Sequence, residues 1–218
     1  MRSAMTDNAR LRRLLRLYLV LDPDLCGGPE GMIQTAEAAA RAGVTAVQLR
    51  APGWKKRLYA ECGRALLKAL APHDVPLFIN DHADVAVAIG AQGVHVGQSD
   101  LSPEDCRRLM PPGMLLGLSV SNRAECLQVD ASLVDYIGVG PYRATATKKD
   151  AAAAIGLEGL AGIVACSPCP SVAIGGIKTS DIGSVMQSGV DGIAVVSAIC
   201  GQPDVRLAVK SLLDAMPS

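Results

Sequence analysis

Aromatic residues are scarce: one Trp, four Tyr and one Phe make up 3% of 218 residues. Proteins that grip single-stranded nucleic acid stack bases on such rings, so this composition argues against that class. Net charge is also lacking, because 21 Lys and Arg balance 21 Asp and Glu. No overall basic field draws in nucleic acid or an anionic membrane surface, although a local positive pocket is compatible with a neutral total. No apolar run approaches the roughly 20 residues of a membrane span. Seven cysteines lie between Cys26 and Cys200 without framework spacing. They read as reduced cytoplasmic thiols, several of them buried. The isolated Cys166-Ser-Pro-Cys169 has no second ligand pair spaced for zinc, and incidental thiols are preferred over a redox centre. Basic residues 10–16 followed by apolar residues 17–21 imitate a signal peptide. Asp22 and Asp24 follow at once, however, and no small-residue cleavage site appears. The segment is short for a basic amphipathic membrane helix, so residues 1–16 read as a basic helical extension feeding a first strand.

What the chain does have is hydrophobic residues, 50% of the total, enough for one well-buried core. Short β-rich runs recur at residues 17–21, 44–49, 76–79, 93–96, 115–120, 136–139, 171–174 and 192–196. Between them, segments 31–42, 55–70, 83–89, 103–110, 123–129, 157–164, 179–188 and 204–215 have helical periodicity. Ser102-Pro103-Glu104-Asp105 supplies an N-cap, a first-turn proline and acidic residues that suit the helix dipole. Asn122 and Thr179 are further cap candidates, and Gly43 and Gly189 suit left-handed C-caps. Strand alternating with helix eight times gives parallel strands with helical crossovers. Eight units over residues 17–218 match a single α/β domain, a (β/α)8 TIM barrel with a short extra helix in front. A doubly wound open sheet is the alternative, but it usually has fewer strands. The only low-complexity patch, Ala151–Ala154, falls in a longer loop.

In such a barrel the active site lies at the C-terminal strand ends, and the residues there are chemical. They are Asp22 after the first strand, Gln48 and Arg50, Asn80 and Asp81, His95 with Gln98 and Asp100, then Ser119 and Ser121. Next come the loop residues Thr145 to Lys149, then Gly175-Gly176, then Ser197. The opposite strand ends, at Val44, Pro76, Gly93 and Leu115, look bland. Asp81 and Asp100 emerge at the same sheet edge beside an amide. This suits Mg2+, a hard cation that prefers oxygen ligands and keeps waters for a substrate phosphate. Gly175-Gly176 and Ser197 suit the phosphate site common after the last two strands, against a plain tight turn and helix cap. Arg50 and the loop residue Lys148 form a second anion site. Singly, a rim salt bridge and a solvated loop would explain them as well. His95 reads equally as a general base or as a hydrogen-bonded core histidine, and takes a supporting role.

The sequence resembles the thiamine phosphate synthase family, within a superfamily that includes thiazole tautomerases. The matching segments are Val47-Gln-Leu-Arg50, Ile79-Asn-Asp-His82, Gly93-Val-His-Val-Gly-Gln-Ser-Asp100, Gly117-Leu-Ser-Val-Ser121, Asp135-Tyr-Ile-Gly-Val-Gly-Pro141, Thr145-Ala-Thr-Lys-Lys149, Ala173-Ile-Gly-Gly-Ile177 and Asp191-Gly-Ile-Ala-Val-Val-Ser197. The resemblance implies a cytoplasmic transferase of thiamine biosynthesis. It would join a hydroxymethylpyrimidine pyrophosphate to a thiazole phosphate, or its carboxylated form, and release pyrophosphate. Carried over residue by residue, Asp81 and Asp100 bind Mg2+. Gln48, Arg50, Asn80, Ser119 and Lys148 hold the pyrimidine pyrophosphate, with Arg50, Lys148 and Ser119 acting in catalysis. Thr145, Thr147, Gly176, Val196 and Ser197 hold the thiazole phosphate.

Two departures stand out. The family's acidic residue and lysine after Gln-x-Arg are replaced by Ala51-Pro52-Gly53, so one pyrophosphate-binding cation is missing. Lys55 or Lys56 reaching back, or Arg143 in the loop after the sixth strand, would restore it. Ala144 stands where the family has proline. The competing readings are a thiazole phosphate tautomerase, which has no use for a metal pair, and a catalytically weak paralogue that binds thiazole phosphate or thiamine phosphate. Expected partners are phosphorylated small molecules, not nucleic acid or membrane; a homo-oligomer is neither required nor excluded.

Overall fold

A computed structural model describes residues 4–144 and 153–217. Its strands are β1 (Leu17–Leu21), β2 (Ala46–Leu49), β3 (Leu77–Asn80), β4 (Gly93–Val96), β5 (Leu115–Val120), β6 (Tyr136–Val139), β7 (Ser171–Ile174) and β8 (Gly192–Val195). They are parallel, pair in chain order and close through β1 and β8, with Leu17 opposite Ile193 and Leu19 opposite Val195. The expected (β/α)8 barrel is therefore what forms. Most strand bounds coincide with the apolar runs; β2 starts at Ala46 rather than 44, β3 spans Leu77–Asn80 rather than 76–79, and β8 stops at Val195.

The helices among the described residues are α1 (Ala4–Leu14), α2 (Pro23–Cys26), α3 (Pro29–Ala42), α4 (Lys56–Leu70), α5 (Ala83–Ile89), α6 (Pro103–Leu109), α7 (Arg123–Leu127), α8 (Gly156–Val164), α9 (Ile182–Gln187) and α10 (Val205–Asp214). Caps at Ser102 and Asn122 accept from the Asp105 and Glu125 N–H groups, and Gly43 (φ 114) ends α3 in the left-handed region. Gly189 (φ 94) plays the same part after α9. Thr179 is not a cap. It begins a 3-10 turn, Thr179–Asp181, and the Asp181 carboxylate accepts the Lys178 N–H at 2.9 Å instead. The unexpected α2 arises because Asp22 turns back on its own chain and accepts from the Asp24 and Leu25 N–H groups, each at 3.0 Å. Asp22 is thus a cap rather than a cavity residue.

Alternation along each strand produces two cores. Outward residues such as Leu19, Leu49, Ile79, Val94 and Ile193 pack under the helices. Inward residues form a smaller cluster built on Tyr18, Phe78 and Tyr136, whose ring centroids lie 5.3–6.1 Å apart. Three rings fit inside because neighbouring strands present glycine. A Cβ on Gly93 would fall 2.4 Å from the Phe78 ring, and one on Gly117 would fall 2.2 Å from Tyr136 Cζ. Below the rings, Leu11 and Leu15 of the α1 segment plug the N-terminal mouth. The Arg12–Asp191 ion pair, and Arg16 donating to the Pro217 carbonyl at 2.7 Å, hold the plug in place.

This lower rim is not bland, contrary to the sequence expectation. Thr45, Gln92, Asp135 and Asp191 stand just ahead of the even strands. Their side chains accept from Leu17, Leu77, Leu116 and Ser171 N–H at the starts of the odd ones, at 2.7–2.9 Å. These polar groups satisfy backbone donors that the ladder leaves over. Leu15 is 0% exposed, so Leu15→Ala should cost about 2–5 kcal/mol of stability, read by urea unfolding, without moving the upper rim.

Candidate active site

The register of the strands decides which polar groups meet. Asn80 is opposite His95, His95 opposite Gly117, and Ser119 opposite Gly138. Gln48, Asn80, His95 and Ser119 therefore stand at the upper end of the ring, above the aromatic layer. With Arg50, Asp81, Asp100, Gly176, Val196 and Ser197 they line one open cavity of about 990 Å³. Each expected site residue within the described residues is on its wall. Thr145, Thr147 and Lys148 lie outside the described residues, as do Ala151 and Ala152.

The turn after β3 is built around Asp81, which takes a left-handed conformation (φ 62) rare for a residue with a side chain. Its N–H donates to the His95 carbonyl at 2.8 Å, and the Asn80 amide donates to its Oδ2 at 2.6 Å. Tyr59 of α4 ties this turn to the end of β2. Its hydroxyl donates to the Leu49 carbonyl at 2.7 Å and accepts the Ala51 N–H at 3.2 Å. Burial pushes this phenol well above its ordinary range, so it stays a neutral donor that orders the Arg50–Ala51 turn. Asp100, exposed on the loop after β4, accepts the Gly97 N–H at 2.7 Å. Both carboxylates line the same cavity and offer oxygen donors to it. That chemistry fits Mg2+, which needs one or two protein carboxylates and completes its shell with water and phosphate. Among the described residues no three His, Cys, Asp or Glu side chains converge as a full protein cage.

On the far wall, Gly175 (φ 102) and Gly176 (φ 65) sit beneath the loop that follows β6. The Tyr142 and Arg143 N–H groups donate to the Ile174 and Gly175 carbonyls at 2.8 and 3.0 Å. A Cβ on Gly175 would meet Pro141 at 2.6 Å. The glycine pair therefore lets the β6 loop lie directly on the β7 turn. Lys178, which the sequence did not single out, and Thr179, expected only as a helix cap, also line the cavity beside Gly176.

None of the expected substitutes for the missing lysine lines the cavity. Lys56 Nζ pairs with Asp84 at 2.6 Å, and neither Lys55 nor Lys56 lines the cavity. Arg143 pairs with the buried Asp181 at 2.6 Å and lies over the Tyr142 ring. It anchors the β6 loop to the turn before α9. His95, in contrast, does face inward: it is 9% exposed, and its ring nitrogens lie 3.0 Å from Tyr136 Oη and from Ser119 Oγ.

The cysteines are free thiols away from this chemistry. Burial pushes Cys169 up to about 11, the opposite of what a redox dithiol requires. A hydrogen bond from Cys200 lowers Cys26 to about 7. Because the thiolate is the nucleophile, Cys26 should be the first thiol alkylated by iodoacetamide. Its rate should rise as pH passes upward through about 7, as followed by peptide mass spectrometry, while Cys169 lags.

The chain is similar to known proteins. Residues 17–199 match the family described as thiamine monophosphate synthase. A thiamine-phosphate synthase of Laribacter hongkongensis is 50% identical over 196 residues, covering 90% of this chain and 92% of that protein. One from Azorhizobium caulinodans is 48% identical over 198 residues, covering 91% and 93%. The solved thiamine phosphate pyrophosphorylase of Pyrococcus furiosus superimposes with a TM-score of 0.84 at 35% identity, covering 94% of this chain and 96% of that chain. A 3-hexulose-6-phosphate synthase, at 18% identity and a TM-score of 0.66, shares the fold alone.

Proposed function

Because the chain belongs to the thiamine monophosphate synthase family, a family of transferases, we propose that it condenses hydroxymethylpyrimidine pyrophosphate with thiazole phosphate, or its carboxylated form, in a Mg2+-dependent reaction in the cytoplasm. The observation that carries this reading is the convergence of Asp81, Asp100 and Arg50 with Gln48, Asn80 and Ser119 on one cavity wall, with Gly176 and Ser197 opposite. A tautomerase needs one phosphate site and a proton-transfer residue; the carboxylate pair supports synthesis instead.

Asp81 and Asp100 would hold Mg2+, which when bound neutralises charge on the pyrophosphate oxygens. Arg50 offers a forked donor to the same group, and Lys148 of the β6 loop adds a second cation. Gln48, Asn80 and Ser119 orient the pyrimidine ring. Departure of pyrophosphate takes the C–O electron pair with it and leaves a carbocation at the pyrimidine methylene, stabilised by the electron-rich aminopyrimidine. The thiazole nitrogen then donates its lone pair to that carbon, giving thiamine phosphate; from the carboxylated form the ring also releases CO2, the ring carbon keeping the C–C electron pair and taking up a proton. Gly176 and Ser197 hold the thiazole phosphate so that the nitrogen faces the methylene. The protein supplies positioning and charge, and no protein nucleophile takes part.

Purified protein supplied with both precursors and Mg2+ should form thiamine phosphate and pyrophosphate in equal amounts. EDTA should stop the reaction and excess Mg2+ should restore it. Asp81→Asn and Asp100→Asn should each lower kcat by about 10²-fold, with little change in melting temperature. Metal-independent product, or tight thiazole phosphate binding with no condensation, would contradict the proposal.

A further inference from the structure

A continuous set of polar contacts crosses the barrel interior and ends at the cavity. The Gln48 amide nitrogen donates to the Tyr18 hydroxyl at 3.0 Å. The Tyr18 and Tyr136 hydroxyls are 3.0 Å apart, Tyr136 Oη is 3.0 Å from His95 Nδ1, and His95 Nε2 is 3.0 Å from Ser119 Oγ. Both phenols are buried, at 1% and 0% exposure. Burial pushes both above their ordinary range, so they stay protonated.

Each hydroxyl can accept twice but has one hydrogen to give, and a buried hydrogen needs an acceptor; with Gln48 donating to Tyr18, Tyr136 Oη is the acceptor in reach of the Tyr18 hydrogen, and this sets the direction of the rest. Gln48 donates to Tyr18, Tyr18 to Tyr136, and Tyr136 to His95 Nδ1. The histidine hydrogen then sits on Nε2 and is given to Ser119 Oγ. The Ser119 hydroxyl hydrogen is left for the cavity that Ser119 lines. The reverse order would need the Gln48 carbonyl oxygen against Tyr18, and would make Ser119 an acceptor from the ligand. The chain depends on space as well. A Cβ on Gly117 would lie 2.5 Å from both His95 Nδ1 and Tyr136 Oη, and one on Gly138 would lie 3.0 Å from His95 Cε1.

We propose that Tyr18, Tyr136 and His95 are positioning residues that form a one-way hydrogen-bond relay, holding His95 as its Nε2–H tautomer and Ser119 as a donor to the bound pyrimidine. This rests on the proposed placing of that substrate against Gln48 and Ser119. Ser119 then meets an acceptor on the ligand, a ring-nitrogen lone pair, and not the exocyclic amino N–H.

Long-range 1H–15N correlation on the 15N-labelled full chain reads the tautomer directly, with the His95 signals assigned against His95→Asn. The expected result is a protonated Nε2 and a bare Nδ1. Tyr136→Phe removes the donor to Nδ1. It should release the tautomer and lower kcat roughly tenfold, while KM for thiazole phosphate stays unchanged. An Nδ1–H tautomer in the unaltered protein, or a Tyr136→Phe protein with unchanged tautomer and kcat, overturns the relay. If Tyr136→Phe fails to fold, the tautomer of the unaltered protein still decides. Ser119→Ala with unchanged kcat and unchanged KM for the pyrimidine pyrophosphate would instead overturn the placing of the substrate, and with it the relay's role.

Discussion

The hydrogen-bonded closure of β1 onto β8 is the constraint from which the site follows. A closed parallel ring has no free edge, and its stagger fixes the height at which every inward residue sits. With Leu17 opposite Ile193 and Asn80 opposite His95, the layers have no freedom to slide. An apolar plug, an aromatic layer, a polar layer and a charged rim follow one another up the axis. A one-residue slip of any strand would exchange its inward and outward sets, putting Gln48 under the helices and Leu49 in the cavity.

The few aromatic residues of the chain are concentrated where this geometry needs them. Tyr18, Phe78 and Tyr136 fill the barrel, and Gly93 and Gly117 make room for them. Tyrosine does two jobs at that level. Its ring packs like Phe78, and its hydroxyl hands hydrogen bonds to the polar layer above.

Much of this was legible in the sequence because the strands are buried on both faces and read as apolar runs. The runs at 93–96 and 136–139 coincide with β4 and β6. The charged rim was legible as well, since Arg50 and Asp81 directly follow their strands and Asp100 lies in the short loop after β4. What stayed hidden depends on partners distant in the chain. Tyr18 meets Tyr136 across 118 positions, and Arg143 meets Asp181 across 38. A local reading made Arg143 a substitute cation, because its neutralising carboxylate belongs to another unit of the barrel. The lower rim misled for a related reason. Thr45, Gln92, Asp135 and Asp191 are polar residues that accept from backbone N–H groups of neighbouring strands, and Asp135 and Asp191 also pair with Arg107 and Arg12.

The central claim is that one cation, held by Asp81 and Asp100, and two phosphorylated ligands share the upper mouth of this ring. Crystals grown with Mn2+ in place of Mg2+, together with thiamine phosphate and pyrophosphate, test it most directly through anomalous scattering. The account predicts a single strong peak bonded to oxygens of both aspartates and of the pyrophosphate, with the phosphate of thiamine phosphate against Gly176 and Ser197. A peak away from those carboxylates, or both products bound with no metal between them, would contradict it.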